Sequence, residues 1–140
     1  MSQLAESPTG DVYKKVIKIT VPLPYPRLTQ NLRMHHMQRA RHVKEQRAQA
    51  GWWAESQVRH HRQEDAPLFP EGRLRLDVVM RLMPGFRALD DDNAWASLKP
   101  VIDGLADALR MDDKRFIVGA LTYGPERIGT IEFTLTAVQP

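Results

Sequence analysis

Between residues 73 and 83 apolar and polar positions alternate. Leu74, Leu76, Val78, Met80 and Leu82 fall on one side, and Arg73, Arg75, Asp77, Val79 and Arg81 on the other. A period of two predicts a strand with one face in the core. Residues 13–23, "YKKVIKITVPL", are β-branched and alternating, and the prolines of "PYPR" forbid continuation, so a first strand ends there. Two further strands, residues 115–124 and 129–138, flank "PERI" and are expected to pair as an antiparallel hairpin.

Helical positions read differently. Residues 43–61 are rich in helix formers, with Val43, Ala50, Trp53 and Ala54 as the apolar positions and Gly51 as a weak spot. Trp52 and Trp53 project about 100° apart on such a helix, so one of the two is expected in the core. The preceding residues 28–42 have no clean period and read as a loop, and residues 63–72 as a Pro-rich connector. A second helix is expected over residues 93–110. The order is β-α-β-α-β-β, an α/β (α+β) domain with a small mixed four-stranded sheet and two helices packed on it. It spans residues 13–140, preceded by a flexible tail over 1–12.

Composition narrows the class. The chain has 140 residues, 42% hydrophobic and 26% charged, enough for one core without staples. With no cysteine, disulfides and thiolate metal sites are excluded. The N-terminus has no basic and apolar leader, and no run approaches the roughly 18 apolar residues of a membrane span. A cytoplasmic protein without a membrane partner is expected. The net charge of +3 is unevenly distributed. From Arg27 to Arg62 eight Arg or Lys face Glu45 and Glu55, whereas from Asp90 to Asp113 seven Asp face Lys99 and Arg110. A basic surface for phosphates and an acidic site for cations would produce this segregation. Arg33, Arg39, Arg41 and Lys44 are the candidate phosphate contacts, against the plainer reading of a solvated helix face. The histidines, residues 35, 36, 42, 60 and 61, share no ligand spacing with carboxylates and are expected at the surface.

The acidic run "DDDN", residues 90–93, allows two readings. One aspartate can cap the helix, leaving the others as a solvated turn. Alternatively, if the chain is still extended there, Asp90 and Asp92 project to one side and Asp91 to the other, giving the paired hard oxygens that Mg²⁺ prefers. A second cluster, Asp112 and Asp113, precedes the next strand. Lys99 lies seven residues after Asp92, close to the same helix face, where it could offset charge on a reacting phosphate.

These motifs, with "DGL" at 103–105, "MDDKRFIV" at 111–118 and the upstream "ITVPLPYPRLTQNLRMH", resemble the RusA-type crossover junction endodeoxyribonucleases, from about residue 16 to the end. The resemblance implies a homodimeric, Mg²⁺-dependent nuclease of bacteria or their phages, with Mn²⁺ as a substitute, that resolves Holliday junctions. Asp90, Asp92 and Asp113 would be its metal-binding carboxylates, Lys99 its essential lysine, and Asp112 and Asn93 supporting groups. A branched-DNA-binding protein without cleavage is the alternative.

The chain departs from the family pattern at one place. Ala94–Ala96 lengthen the spacing before Lys99 by nearly one helical turn, and Pro100 then interrupts a helix hydrogen bond. One expectation is a separate turn over 92–98 with the main helix starting at Pro100. An unbroken helix over 93–110 would hold its ends about 27 Å apart at roughly 1.5 Å per residue. Asp92 and Asp113 could then share a metal only if the chain doubled back or a second subunit contributed one of them.

Overall fold

The computed structural model describes residues 4–6, 12–14, 16–28, 33–61 and 68–138. Arg62, the last cation of the basic stretch, and parts of the expected loop and connector lie outside them. Two short strands, β1 (Leu4–Glu6) and β2 (Val12–Lys14), pair antiparallel. The main sheet contains β3 (Val16–Pro22), β4 (Leu74–Arg81), β5 (Phe116–Tyr123) and β6 (Thr130–Ala137) in the order β3-β6-β4-β5. It is a mixed sheet, as the alternation and element order predict. β4 runs parallel to β5 and antiparallel to β6, and β3 is antiparallel to β6.

The expected β5–β6 hairpin does not form, because β4 lies between them. The helix between β4 and β5 makes a crossover, which delivers β5 parallel and adjacent to β4. The link 124–129 then carries the chain over the end of β4 to its other edge. Gly124 N–H donates to the Met80 carbonyl at 2.9 Å, and Arg81 pairs with Glu126 at 3.1 Å, fixing that passage. β5 carries a bulge: Leu76 faces Val118 but Val78 faces Leu121. The Asp77 carboxylate accepts the Ala120 N–H at 2.8 Å, satisfying an amide that the extra residue removes from the ladder.

One sheet face is buried through Ile17, Ile19, Val21, Leu74, Leu76, Val78, Met80, Ile131, Phe133 and Leu135. Two helices cover it, α1 (His36–Val58) and α2 (Asp91–Leu109). α1 starts well before the expected residue 43. The His35 side chain accepts the Met37 N–H at 3.3 Å, a cap that a polar, aperiodic stretch conceals. The other described histidines lie at or near the surface.

α1 buries Gln46, Ala50, Ala54 and Val58, one residue every four. This narrow row of mostly small side chains lets its backbone approach α2 at Gly51 and Gly104. A Cβ on Gly104 would stand 2.3 Å from the Arg47 carbonyl oxygen and 2.9 Å from the Gly51 nitrogen. Gly51 is therefore a crossing point rather than a weak spot. Neither tryptophan enters the core: Trp52 is 65% exposed and Trp53 40%. The close crossing leaves no space for an indole between the helices.

α2 is continuous, with Pro100 inside it and Asp90 as its N-cap. The helix does not divide at Pro100. Ala94, Leu98, Val101, Leu105 and Ala108 form its buried stripe, at the spacing that keeps one face toward the core. No described helix is long and apolar enough to cross a membrane.

Candidate functional site

The run 90–93 is set by the end of β5. The Tyr123 hydroxyl accepts the Leu89 N–H at 3.0 Å and donates to the Leu89 carbonyl at 3.1 Å. Arg27 donates to the Arg87 carbonyl at 2.8 Å. The next residue that turns inward can then cap a helix. Asp90 does so, accepting the Asn93 N–H at 2.9 Å. Asp91 and Asp92 fall in the first helical turn, where the helix dipole favours negative charge. The strand-like alternation expected of Asp90 and Asp92 is absent, because the helix has already begun.

The other end of α2 is built differently. Arg110 adopts the left-handed conformation, φ 56°, as the C-cap, and the chain reverses. Asp112 then accepts the Lys114 N–H at 2.9 Å, capping a single 3₁₀ turn over Asp113–Arg115. The reversal brings Asp113 back alongside α2. Lys99 Nζ donates to Asp103 at 2.8 Å and to Asp113 at 2.6 Å. Arg47, on α1, grips both oxygens of Asp107 at 2.7 and 2.8 Å. Arg47, Lys99, Asp103, Asp107, Asp112 and Asp113 line a cleft of about 350 Å³.

The electrostatics follow from these contacts. Asp103 and then Asp113 raise the Lys99 ammonium above its ordinary value of 10.5, because each hydrogen bond is strongest to the charged form. Lys99 in turn holds the Asp113 carboxyl below its ordinary 3.8. Arg47 lowers Asp107 in the same way.

The structure thus brings Lys99, Asp112 and Asp113 together and leaves Asp90, Asp92 and Asn93 at the far end of the helix. Eleven residues separate Asp92 from Asp103, an axial rise of about 16 Å. Among the described residues no three His, Asp or Glu side chains converge as a metal site. Of the four basic candidates, Arg33, Arg41 and Lys44 are exposed and Arg39 is half-buried. Arg41, Lys44 and Arg47 follow one another at three-residue steps along α1, each about 60° round from the last, and Arg39 lies about 80° round from Arg47. Along this three-residue ridge of α1, Arg47 is the cation that lines the acidic cleft.

Asp103, Asp107 and Arg47 are the site residues that motif reading misses. The four-residue steps from Lys99 to Asp103 and on to Asp107 were the available signal, since such steps stack side chains on one helix face. Arg47 carried no signal, because only the fold brings α1 across α2.

No family model matches the chain. It is 37% identical over 127 residues to a protein of the bacterium Xylella fastidiosa (strain Temecula1), described as an uncharacterized protein, with 89% of this chain and 79% of the relative covered.

Proposed function

We propose that this chain, which belongs to one family with the Xylella fastidiosa protein, is a Mg²⁺-dependent endonuclease that cuts branched DNA at four-way junctions and works as a homodimer. The observation that carries this reading is the contact of Lys99 with Asp113 at 2.6 Å. These are two of the residues that the RusA-type resemblance assigns to catalysis. They lie fourteen positions apart, yet they meet in a cleft lined by Arg47, on the ridge that carries Arg41 and Lys44. Such a ridge gives affinity and register on a phosphate backbone without reading sequence, which suits recognition of shape.

One chain does not assemble the three expected carboxylates, so the reading requires two chains. A two-fold axis that sets two α2 helices antiparallel would place Asp90 and Asp92 of one protomer near Asp113 of its partner. Mg²⁺, or Mn²⁺ in its place, would be held by that set and would supply charge for an attacking water and a leaving oxygen. Lys99, oriented by Asp103, stands where its ammonium can neutralise a phosphate oxygen. Arg47, fixed by both oxygens of Asp107, bounds the cleft and orders the approach of the backbone.

The test incubates a synthetic four-way junction and a linear duplex with Mg²⁺, wild type beside Asp92→Asn. Paired nicks in the junction alone, lost in the variant, are the expected result. A second reading, a branched-DNA-binding protein without cleavage, draws on the engagement of Asp90 as a cap and of Asp113 by Lys99. Salt-dependent binding by both proteins with no nicks would select it.

A further inference from the structure

A second cleft lies on another side of α1, where the proline turn after β3 meets the helix. Pro22, Pro24, Tyr25, Gln46, Gln49 and Trp53 line a volume of about 230 Å³ with no charged side chain. That is below the roughly 300–1,000 Å³ typical of sites for drug-sized ligands, so it suits one small ring system. Two aromatic residues stand at this cleft and each is braced. Tyr25 is 80% exposed yet leans on Phe86, with ring centroids 6.4 Å apart, and Trp53 meets Trp52 edge-to-face at 5.0 Å. Exposed aromatics held in place offer ring faces at little ordering cost.

The polar chemistry is narrower. Gln46 is 4% exposed and its Nε2 donates to the Pro26 carbonyl at 2.8 Å. Its Oε1 is closed to solvent and has no donor among the described residues, so a ligand N–H reaches it only when the Gln46 amide turns toward the cleft. A buried acceptor without a partner carries a desolvation cost that an N–H donor relieves. The site therefore favours a flat, uncharged ring bearing an N–H group. Arg39 lies seven residues before Gln46, two turns along the same side of α1, and adds positive charge to the approach.

We propose that this cleft takes one unpaired nucleobase drawn from branched DNA, its ring stacked on Tyr25 or Trp53 and its exocyclic amine donating to Gln46 Oε1. Adenine, cytosine and guanine carry such an amine and thymine does not. Bases at a branch point have weakened stacking, which lowers the cost of swinging one out. The inference rests on the DNA-binding reading above but involves none of its acidic residues.

The test titrates the full chain, in EDTA so that no cleavage intervenes, with a four-way junction carrying the fluorescent adenine analogue aminopurine at one branch position. Emission and gel retardation are followed for wild type, Tyr25→Ala and Gln46→Met. The expected result is a saturable emission change with wild type that both variants lose. Tyr25→Ala should also weaken junction binding by about 5- to 150-fold, the range for loss of one stacked base. Tyr25 lies outside the core, so its removal leaves the fold intact, and a thermal melt checks Gln46→Met. Retardation of the junction with no emission change, or variants equal to wild type, overturns the cleft assignment while the DNA-binding reading stands. Absence of retardation overturns both. Tryptophan emission that responds to a proline-rich peptide and not to the junction assigns the cleft to a protein partner and overturns the proposal.

Discussion

The two ends of α2 carry aspartates in similar number and use them in opposite ways. At the N-terminus Asp90 bonds the helix backbone and Asp91 and Asp92 sit over the first turn, with the peptide dipoles supplying the positive charge. Toward the C-terminus the dipole is negative and gives no such help. There Asp103 and Asp113 hold Lys99, and Asp107 holds Arg47. Acidic residues near a helix start can be satisfied by the backbone alone. Near a helix end they need side-chain cations, and a fold that brings Arg47 from a second helix and Asp113 from the reversed chain to the Lys99 face of α2 has built a polar cleft.

The largest effect is expected where the two ends act together. In the shared-site dimer, Asp90→Asn and Asp113→Asn each abolish junction cleavage as homodimers. Mixed and allowed to exchange subunits, they form heterodimers with one intact site each, so about a quarter of wild-type activity should return. Recovery is measured as nicked junction against time. No recovery, with each single variant still inactive, would mean that the ends do not meet across a two-fold axis.

The cleft end depends on the helix crossing, so the next largest effect is expected at Gly104. A Cβ there meets the Arg47 carbonyl and the Gly51 backbone, and neither can swing away. Gly104→Ala should destabilise the protein by about 1–3 kcal/mol, the usual cost of overpacking, and Gly104→Val by more. Urea unfolding at neutral pH measures it. Gly119→Ala is a useful companion, since its Cβ would stand 2.2 Å from an Asp77 carboxylate oxygen. That contact is with a side chain that can turn away, so the loss should be smaller than at Gly104.

A cap and a metal ligand can be separated at Asp90 by choice of substitute. Asp90→Ala should cost about 1 kcal/mol of stability, as loss of an N-cap does, whereas Asp90→Ser should cost only a few tenths, because serine caps nearly as well. Serine cannot replace a carboxylate on a cation. An Asp90→Ser protein that melts like wild type and no longer nicks junctions assigns both roles to Asp90; one that keeps full activity leaves it a cap alone.

Much of this architecture is legible in residue order. The unbroken alternation of 74–82 fixes a half-buried strand, and the following helix and cluster of apolar residues place β4, α2 and β5 in sequence. Strand adjacency is not legible, because "PERI" is as compatible with a hairpin as with a passage over β4, and only the crossover helix decides. The start of α1 is hidden because His35 is an unusual cap and the helix buries only one residue in four. In the site, Lys99 and Asp113 are visible as charged residues in a resembling motif. Their contact depends on the reversal at Arg110, a left-handed cap made without glycine, which no local pattern announces. The same holds for Arg47, whose partner Asp107 lies sixty residues on.

The smallest effect tests the cleft end directly. Asp103 and Asp113 raise the Lys99 pKa, so the ammonium's contribution to stability is complete below the ordinary value of 10.5 and is lost as pH rises through the higher folded value. The lowered Asp113 carboxyl contributes above its ordinary 3.8 and loses that contribution as pH falls through the lower folded value. Between these limits the pair gives stability no pH dependence, and a thermal melt from pH 5 to pH 9 should be flat as far as these groups contribute. Asp113→Asn removes one of the two carboxylates and should move the Lys99 pKa down toward 10.5. Acetylation of Lys99, followed by peptide mass spectrometry between pH 8 and pH 10, reads that shift, because only the neutral amine reacts. Asp92→Asn, two turns away and unpaired with Lys99, should leave the profile unchanged. Equal shifts from the two variants would show that the ends of α2 are electrostatically one site, and the contrast between them would fail.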